Sequence, residues 1–138
     1  MRIEKLFIVG LLLVISIGGQ AALPIVAIEG MQKKAPEKVL IEVVSVKTEE
    51  KKAGGGWYFH HEITVKITNV ERTAAGLKKG DTIDIHFSRP NFKKNPEPGD
   101  WPGAVKKGLK YTAYLKATSD KNRFDPAASS GTFVKIKP

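Results

Sequence analysis

Residues 57–70 read WYFHHEITVKITNV, and this stretch decides the fold class. Trp57, Phe59, His61, Ile63, Val65 and Ile67 share one parity, while Tyr58, His60, Glu62, Thr64, Lys66 and Thr68 share the other. Apolar residues at alternate positions fit a strand, whose successive side chains point to opposite faces; a 3.6-residue period would mix the two sets. The run is long for a strand, which implies curvature around a small core. Upstream, residues 39–46 (VLIEVVSV) are rich in β-branched side chains, and their alternation slips at Val43 and Val44, as a β-bulge would make it. Downstream, residues 82–88 (TIDIHFS) place Ile83, Ile85 and Phe87 on one face. Residues 109–117 (LKYTAYLKA) place Leu109, Tyr111, Ala113 and Leu115 together, and residues 131–136 (GTFVKI) form a last strand.

The connections are polar. Residues 47–56 (KTEEKKAGGG) read as a charged, glycine-rich turn, and no Gly-Lys-Ser/Thr or helix follows that would make them a phosphate loop. Residues 71–81 (ERTAAGLKKGD) form a second connection, and residues 118–130 a polar loop containing Phe124. Residues 89–108 carry Pro90, Pro96, Pro98 and Pro102, a spacing that leaves no useful helix. A connection of that length in a compact domain is often functional. Five strands without a helix predict an all-β domain: a five-stranded OB-like Greek-key barrel, or else a small β-sandwich. The expected core is Val39, Ile41, Ile63, Val65, Ile67, Ile83, Ile85, Phe87, Leu109, Tyr111, Leu115 and Val134.

The N-terminus carries an address. Arg2 and Lys5 precede the apolar run LFIVGLLLVISI at 6–17, and Gly19 and Ala21 satisfy the small-residue rule for cleavage after Ala21. Residues 1–21 thus read as a signal peptide. The other reading is an uncleaved anchor, because apolar residues resume at 21–28 (AALPIVAI). Both readings put the rest of the chain outside the cytoplasm, in a periplasmic or secreted setting that is bacterial in style. Residues 22–37 then read as a flexible leader and 38–138 as the β domain.

The 138 residues suit one domain, and the formal net charge is +9, falling to about +8 once residues 1–21 are removed. Such an excess of lysine favours anionic partners. There is no cysteine, which excludes disulfides, thiolate zinc sites, cysteine nucleophiles and a lipidated cysteine.

The order of features resembles the netrin-like and metalloproteinase-inhibitor-like branch of the OB-folds. The resemblance rests on residues 41–46, the long strand ending ITVKITNV, Gly-Leu-Lys-Lys-Gly-Asp at 76–81, the strand at 82–87, and Val-Lys-Lys-Gly-Leu-Lys-Tyr at 105–111 leading into Tyr114 and Leu115. It implies an OB-like barrel in an extracellular setting. The inhibitors of that group contact a protease metal through an N-terminal cysteine. None exists here, so the resemblance carries no site residue across.

Catalytic chemistry finds no footing. Glu49 and Glu50 lie among lysines, while Asp100, Asp120 and Asp125 are scattered, so no carboxylate pair has a fixed separation. The run Ser129-Ser130-Gly131 lacks a partner base and the Gly-x-Ser-x-Gly elbow. The expectation is a non-enzymatic protein with no cofactor. His60 and His61 are adjacent and point to opposite faces of their strand. His60, Glu62 and His86 share polar faces and are the candidate metal ligands. A direct turn at 71–81 would set His86 beside Lys66, however, which leaves the three apart. Basic and aromatic residues make the main candidate site: Trp57, Tyr58, Arg89, Phe92, Lys93, Lys94, Trp101, Lys106 and Lys107. Aromatic platforms with cationic neighbours suit polyanions and sugars, and OB-folds bind extended ligands beside such loops. The expected function is an exported binding module for an acidic protein, a polysaccharide or another polyanion, with nucleic acid disfavoured by export and membrane contact expected only through an uncleaved anchor. The alternatives are a structural or assembly component of the cell envelope and a metal-binding periplasmic protein.

Overall fold

The computed structural model describes residues 23–94 and 99–137. The expected signal peptide lies outside the described residues. Among the described residues six strands form one sheet: β1 (Glu37–Ala53), β2 (Gly56–Arg72), β3 (Thr82–Pro90), β4 (Lys110–Ala117), β5 (Arg123–Pro126) and β6 (Phe133–Lys135). The order is β1-β2-β3-β5-β4-β6, and a further β1–β4 pairing closes five of them into a ring. The β3–β5 pair is parallel and the rest are antiparallel. The fold is all-β and barrel-like, compatible with an OB-like barrel. Among the described residues no helix is long and apolar enough to cross a membrane.

The interior follows the alternation. Val39, Ile41 and Val43 of β1, Ile63, Val65 and Ile67 of β2, Ile83, Ile85 and Phe87 of β3, and Tyr111, Ala113 and Leu115 of β4 form one buried cluster. Each fully buried aliphatic side chain contributes roughly 1.5–3 kcal/mol, so the cluster holds the ring without cross-links. Three expectations need correction. Val134 is exposed and its neighbour Phe133 packs on the core instead, because Phe133 pairs with the buried Ala113. The polar loop at 118–130 contains a strand, β5, whose fully buried Phe124 seals the gap between β3 and β4. The turn at 47–56 is mostly strand: β1 runs to Ala53, and Gly54 and Gly55 (φ +58° and +83°) make a tight two-residue hairpin turn.

The stretch read as a leader contains a helix, α1 (Ile25–Lys34), none of whose residues is buried. Lys33 and Lys34 in its last turn complement its dipole, and Arg72 donates to the carbonyls of Gln32 (2.7 Å) and Ala35 (2.9 Å) at its C-terminal end. Gln32 Nε2 donates to Gly131 O, and the helix approaches closely enough that a Cβ on Gly131 would lie 2.2 Å from Ile28 Cγ2.

Two features of this frame position the surface chemistry. The first is the bulge. Register shifts between Val43 and Ser45, leaving Val44 exposed. There β1 also parts from β4, with Val43 bonded to Gly108 and Leu109 before the strands separate. Beyond the bulge β1 pairs with β2 alone, so a β1–β2 ribbon overhangs the ring, joined by the end of β3 as far as Tyr58↔Pro90. The second is a fold-back after β2. Ile67 exchanges backbone hydrogen bonds with Gly80 and Asp81, so β3 begins opposite Lys66 rather than opposite the end of β2. The intervening turn is held by the fully buried Glu37, whose Oε1 accepts from Thr73 Oγ1 (2.5 Å) and from the amides of Ala74 and Ala75 (3.0 Å each).

Candidate functional site

The inner face of the overhang is not covered by the ring, and a cleft of about 500 Å³ opens there. Thr48, Phe59 and His61 form its floor, and Arg89, Pro90, Asn91, Phe92, Lys93 and Ala104 its walls. The bulge sets the floor's parity: it moves the even positions of β1 inward, so Thr48 lies opposite His61 and Glu50 opposite Phe59. Arg89 comes from the other side, opposite Phe59 on β2.

His61 is the centre of the floor. Its ring lies 5.0 Å from Phe87 and 6.3 Å from Phe59, and its Nδ1 is 3.0 Å from Thr48 Oγ1. Its Nε2 is buried with no partner among the described residues. Burial first, then the nearby charges of Arg89 and His60, holds the imidazole below its ordinary pKa of 6.5. An unpaired polar nitrogen beneath an apolar cleft is costly to keep and ready to accept a partner.

The rim is cationic. Arg89 stacks on Phe92, 5.8 Å from the ring centroid, and neither Arg89 nor Lys93 carries an ion pair among the described residues. Lys94 is engaged differently. Its Nζ lies 2.7 Å from Glu50 Oε1 and 4.5 Å from the Trp57 ring, which Lys52 approaches at 5.9 Å. Glu50 also accepts from Asn91 Nδ2 at 2.5 Å, and the bonds from Lys94 and then Asn91 hold its carboxyl below the usual range. Glu50 thus pins the 91–94 turn to the ribbon, helped by the Asn91 amide on Trp57 O (2.9 Å).

Trp57, Tyr58, Arg89, Phe92, Lys93 and Lys94 therefore meet at one end of the molecule. Trp57 is 37 % exposed and Phe92 44 %, so neither plugs the barrel. Trp101 lies elsewhere, lining a separate hollow of about 470 Å³ with Met31, His86, Ser88 and Asp125, and its Nε1 is buried without a partner among the described residues. Lys106 and Lys107 sit in the exposed turn before β4 and do not line the cleft. The sequence reading missed Thr48, Phe59 and His61 as site residues. Phe59 and His61 have the parity of the core, and only the length of the overhang takes them out of it.

His60, Glu62 and His86 do come together, against the direct-turn expectation. The fold-back after β2 advances the register by four residues, so His86 faces Glu62 instead of Lys66. One donor atom from each lies within 4.8 Å of the others.

Scans against protein-family models, curated proteins and solved structures each find no match to this chain.

Proposed function

We propose that this chain is an exported, non-enzymatic binding module on an OB-like barrel, and that it takes an anionic partner, an acidic protein segment or a polysaccharide, in the cleft beyond the ring. The observation that carries the reading is the cleft itself. It combines an apolar floor with an unpaired buried nitrogen on His61 and two cationic side chains, Arg89 and Lys93, that no carboxylate of the described residues neutralises. Such a site favours a ligand with negative charge at the rim and a flat or apolar group below it. The net charge of +9 favours approach of the same class of partner. The N-terminal signal pattern supports export, and the closed ring with its parallel β3–β5 pair supports the OB-like description.

The test is binding of labelled oligoglutamate and of a sulfated polysaccharide, followed by fluorescence anisotropy across a salt series. A charge-assisted contact from half-buried Arg89 is worth about 1.5–3 kcal/mol, and one from exposed Lys93 up to about 1 kcal/mol. Arg89→Gln combined with Lys93→Gln removes about 1.5–4 kcal/mol together and is expected to weaken binding by roughly 10- to 700-fold. It should leave stability within about 1 kcal/mol, since neither residue has an ion pair to lose and the Arg89–Phe92 stack is worth roughly 0.5–1 kcal/mol. Lys94→Gln and Lys106→Gln should each change affinity by less than about threefold at moderate salt. Equal losses from all four positions would mean diffuse attraction to a basic surface, and the cleft reading would fail.

A further inference from the structure

The outer face of the β2–β3 pair carries a second constellation, on the opposite side of the sheet from the cleft floor. His60 and Glu62 are two residues apart on β2 and therefore share that face. His86 lies directly across from Glu62, and Ser88 directly across from His60. His60 Nε2 is 3.9 Å from Glu62 Oε1, the His60 and His86 rings meet edge-on at 5.8 Å, and one donor atom from each of the three lies within 4.8 Å of the others. Ser88 Oγ is 3.1 Å from His60 Nδ1. That bond fixes the ring and leaves Nε2 for the cluster, the arrangement by which a second hydrogen bond orients a metal-ligating histidine.

We propose that His60, Glu62 and His86 form a three-ligand site for a divalent transition-metal ion of the zinc class. Two imidazole nitrogens and one carboxylate oxygen suit zinc, and equally copper(II) or nickel(II), over calcium or magnesium, which take all-oxygen sets. Bonds of about 2.1 Å in tetrahedral geometry need donors about 3.4 Å apart, so side-chain rotation of about 1 Å closes the set. All three side chains are half-buried, neither locked in the core nor freely solvated. The surrounding charge is balanced and leaves Glu62 as the anionic ligand: Glu49 faces His60 from β1 but pairs with Lys51 at 3.5 Å, and Lys47 faces Glu62. Three protein ligands leave at least one coordination position open, as in catalytic rather than structural zinc sites. The hollow lined by His86, Ser88, Trp101 and Asp125 adjoins the cluster and gives a further ligand room to reach that position.

The experiment is equilibrium dialysis of the untagged, chelator-stripped chain against zinc chloride, with metal counted per chain. One equivalent is expected, and the ring resonances of His60 and His86 should shift in a histidine-detected NMR spectrum while those of His61 stay in place. His60→Gln, Glu62→Gln and His86→Gln should each weaken zinc binding by more than about tenfold, and Ser88→Ala, which keeps every ligand, by roughly tenfold. Where a ligand variant fails to fold, Ser88→Ala and the wild-type histidine spectrum decide. No bound zinc, zinc that shifts His61 alone, or affinity unchanged in Ser88→Ala and in the folded ligand variants overturns the proposal.

Discussion

Glu37→Ala is expected to destabilise the protein by about 3 kcal/mol. The carboxylate is fully buried at the start of β1, and its Oε1 accepts three hydrogen bonds, from Thr73 Oγ1 and the amides of Ala74 and Ala75. Each is worth about 1 kcal/mol net when lost, and water can reach the exposed residues 74 and 75, which keeps the cost near that value rather than the full desolvation penalty. Thr73 passes the support on, because its Oγ1 accepts from the Leu77 amide at 3.0 Å. Glu37→Gln separates shape from charge. Its carbonyl oxygen can replace Oε1, and its amide nitrogen would take the place of Oε2, which has no partner among the described residues. That variant should stay within about 1 kcal/mol of the parent. Urea unfolding read by circular dichroism gives the comparison, with the midpoint shifting and the slope unchanged. The consequence reaches the surface chemistry, since this turn determines where β3 begins and hence that His86 faces Glu62 and Arg89 faces Phe59. Amide exchange at residues 73–81 should quicken in Glu37→Ala. A loss below about 1 kcal/mol, or equal losses in the Ala and Gln variants, would refute the assignment of the fold-back to this carboxylate.

Two further outcomes follow from the same geometry. The folded state holds His61 below its ordinary pKa, through burial first and then Arg89 and His60, so it binds that proton less readily than the unfolded chain does. The stability contributed by the neutral ring is therefore full above pH 6.5 and is lost as pH falls through that value toward the depressed one; His61→Phe should lose less stability than the parent between pH 7 and pH 5, measured by urea midpoints. Gly131→Ala sets a Cβ 2.2 Å from Ile28 Cγ2 and 2.9 Å from Gln32 Nε2, so α1 must shift at a local cost of about 1–3 kcal/mol. Proteolysis within residues 25–34 should accelerate while the core strands stay protected.

The ring was legible because its strands obey period two: the inward residues of β2 and β3 are those the alternation gives, and the slip at Val43 and Val44 is a true bulge. What escaped the sequence was register and length. β5 pairs with β3 at only two positions, and Phe124 is its lone buried residue, too short a signal to separate from a loop. Alternation within a strand says nothing of its partner's offset, so the four-residue advance that unites His60, Glu62 and His86 had no trace in the sequence: Glu37 stood in the stretch read as leader, and Gly76 and Gly80 marked only that a turn was present. The cleft was half legible. Loop aromatics and cations at 89–94 stood out by composition, whereas Phe59 and His61 looked like core because parity cannot show where a barrel ends.

Occupation of the cleft beyond the ring by an anionic partner can be mapped residue by residue. Titrating 15N-labelled protein with oligoglutamate at physiological salt should move the amides of Phe59, His61, Arg89, Phe92 and Lys93 along common saturating curves and leave Lys106, Lys107 and Lys121 still. Small, non-saturating shifts spread over all the lysine-bearing turns would contradict it.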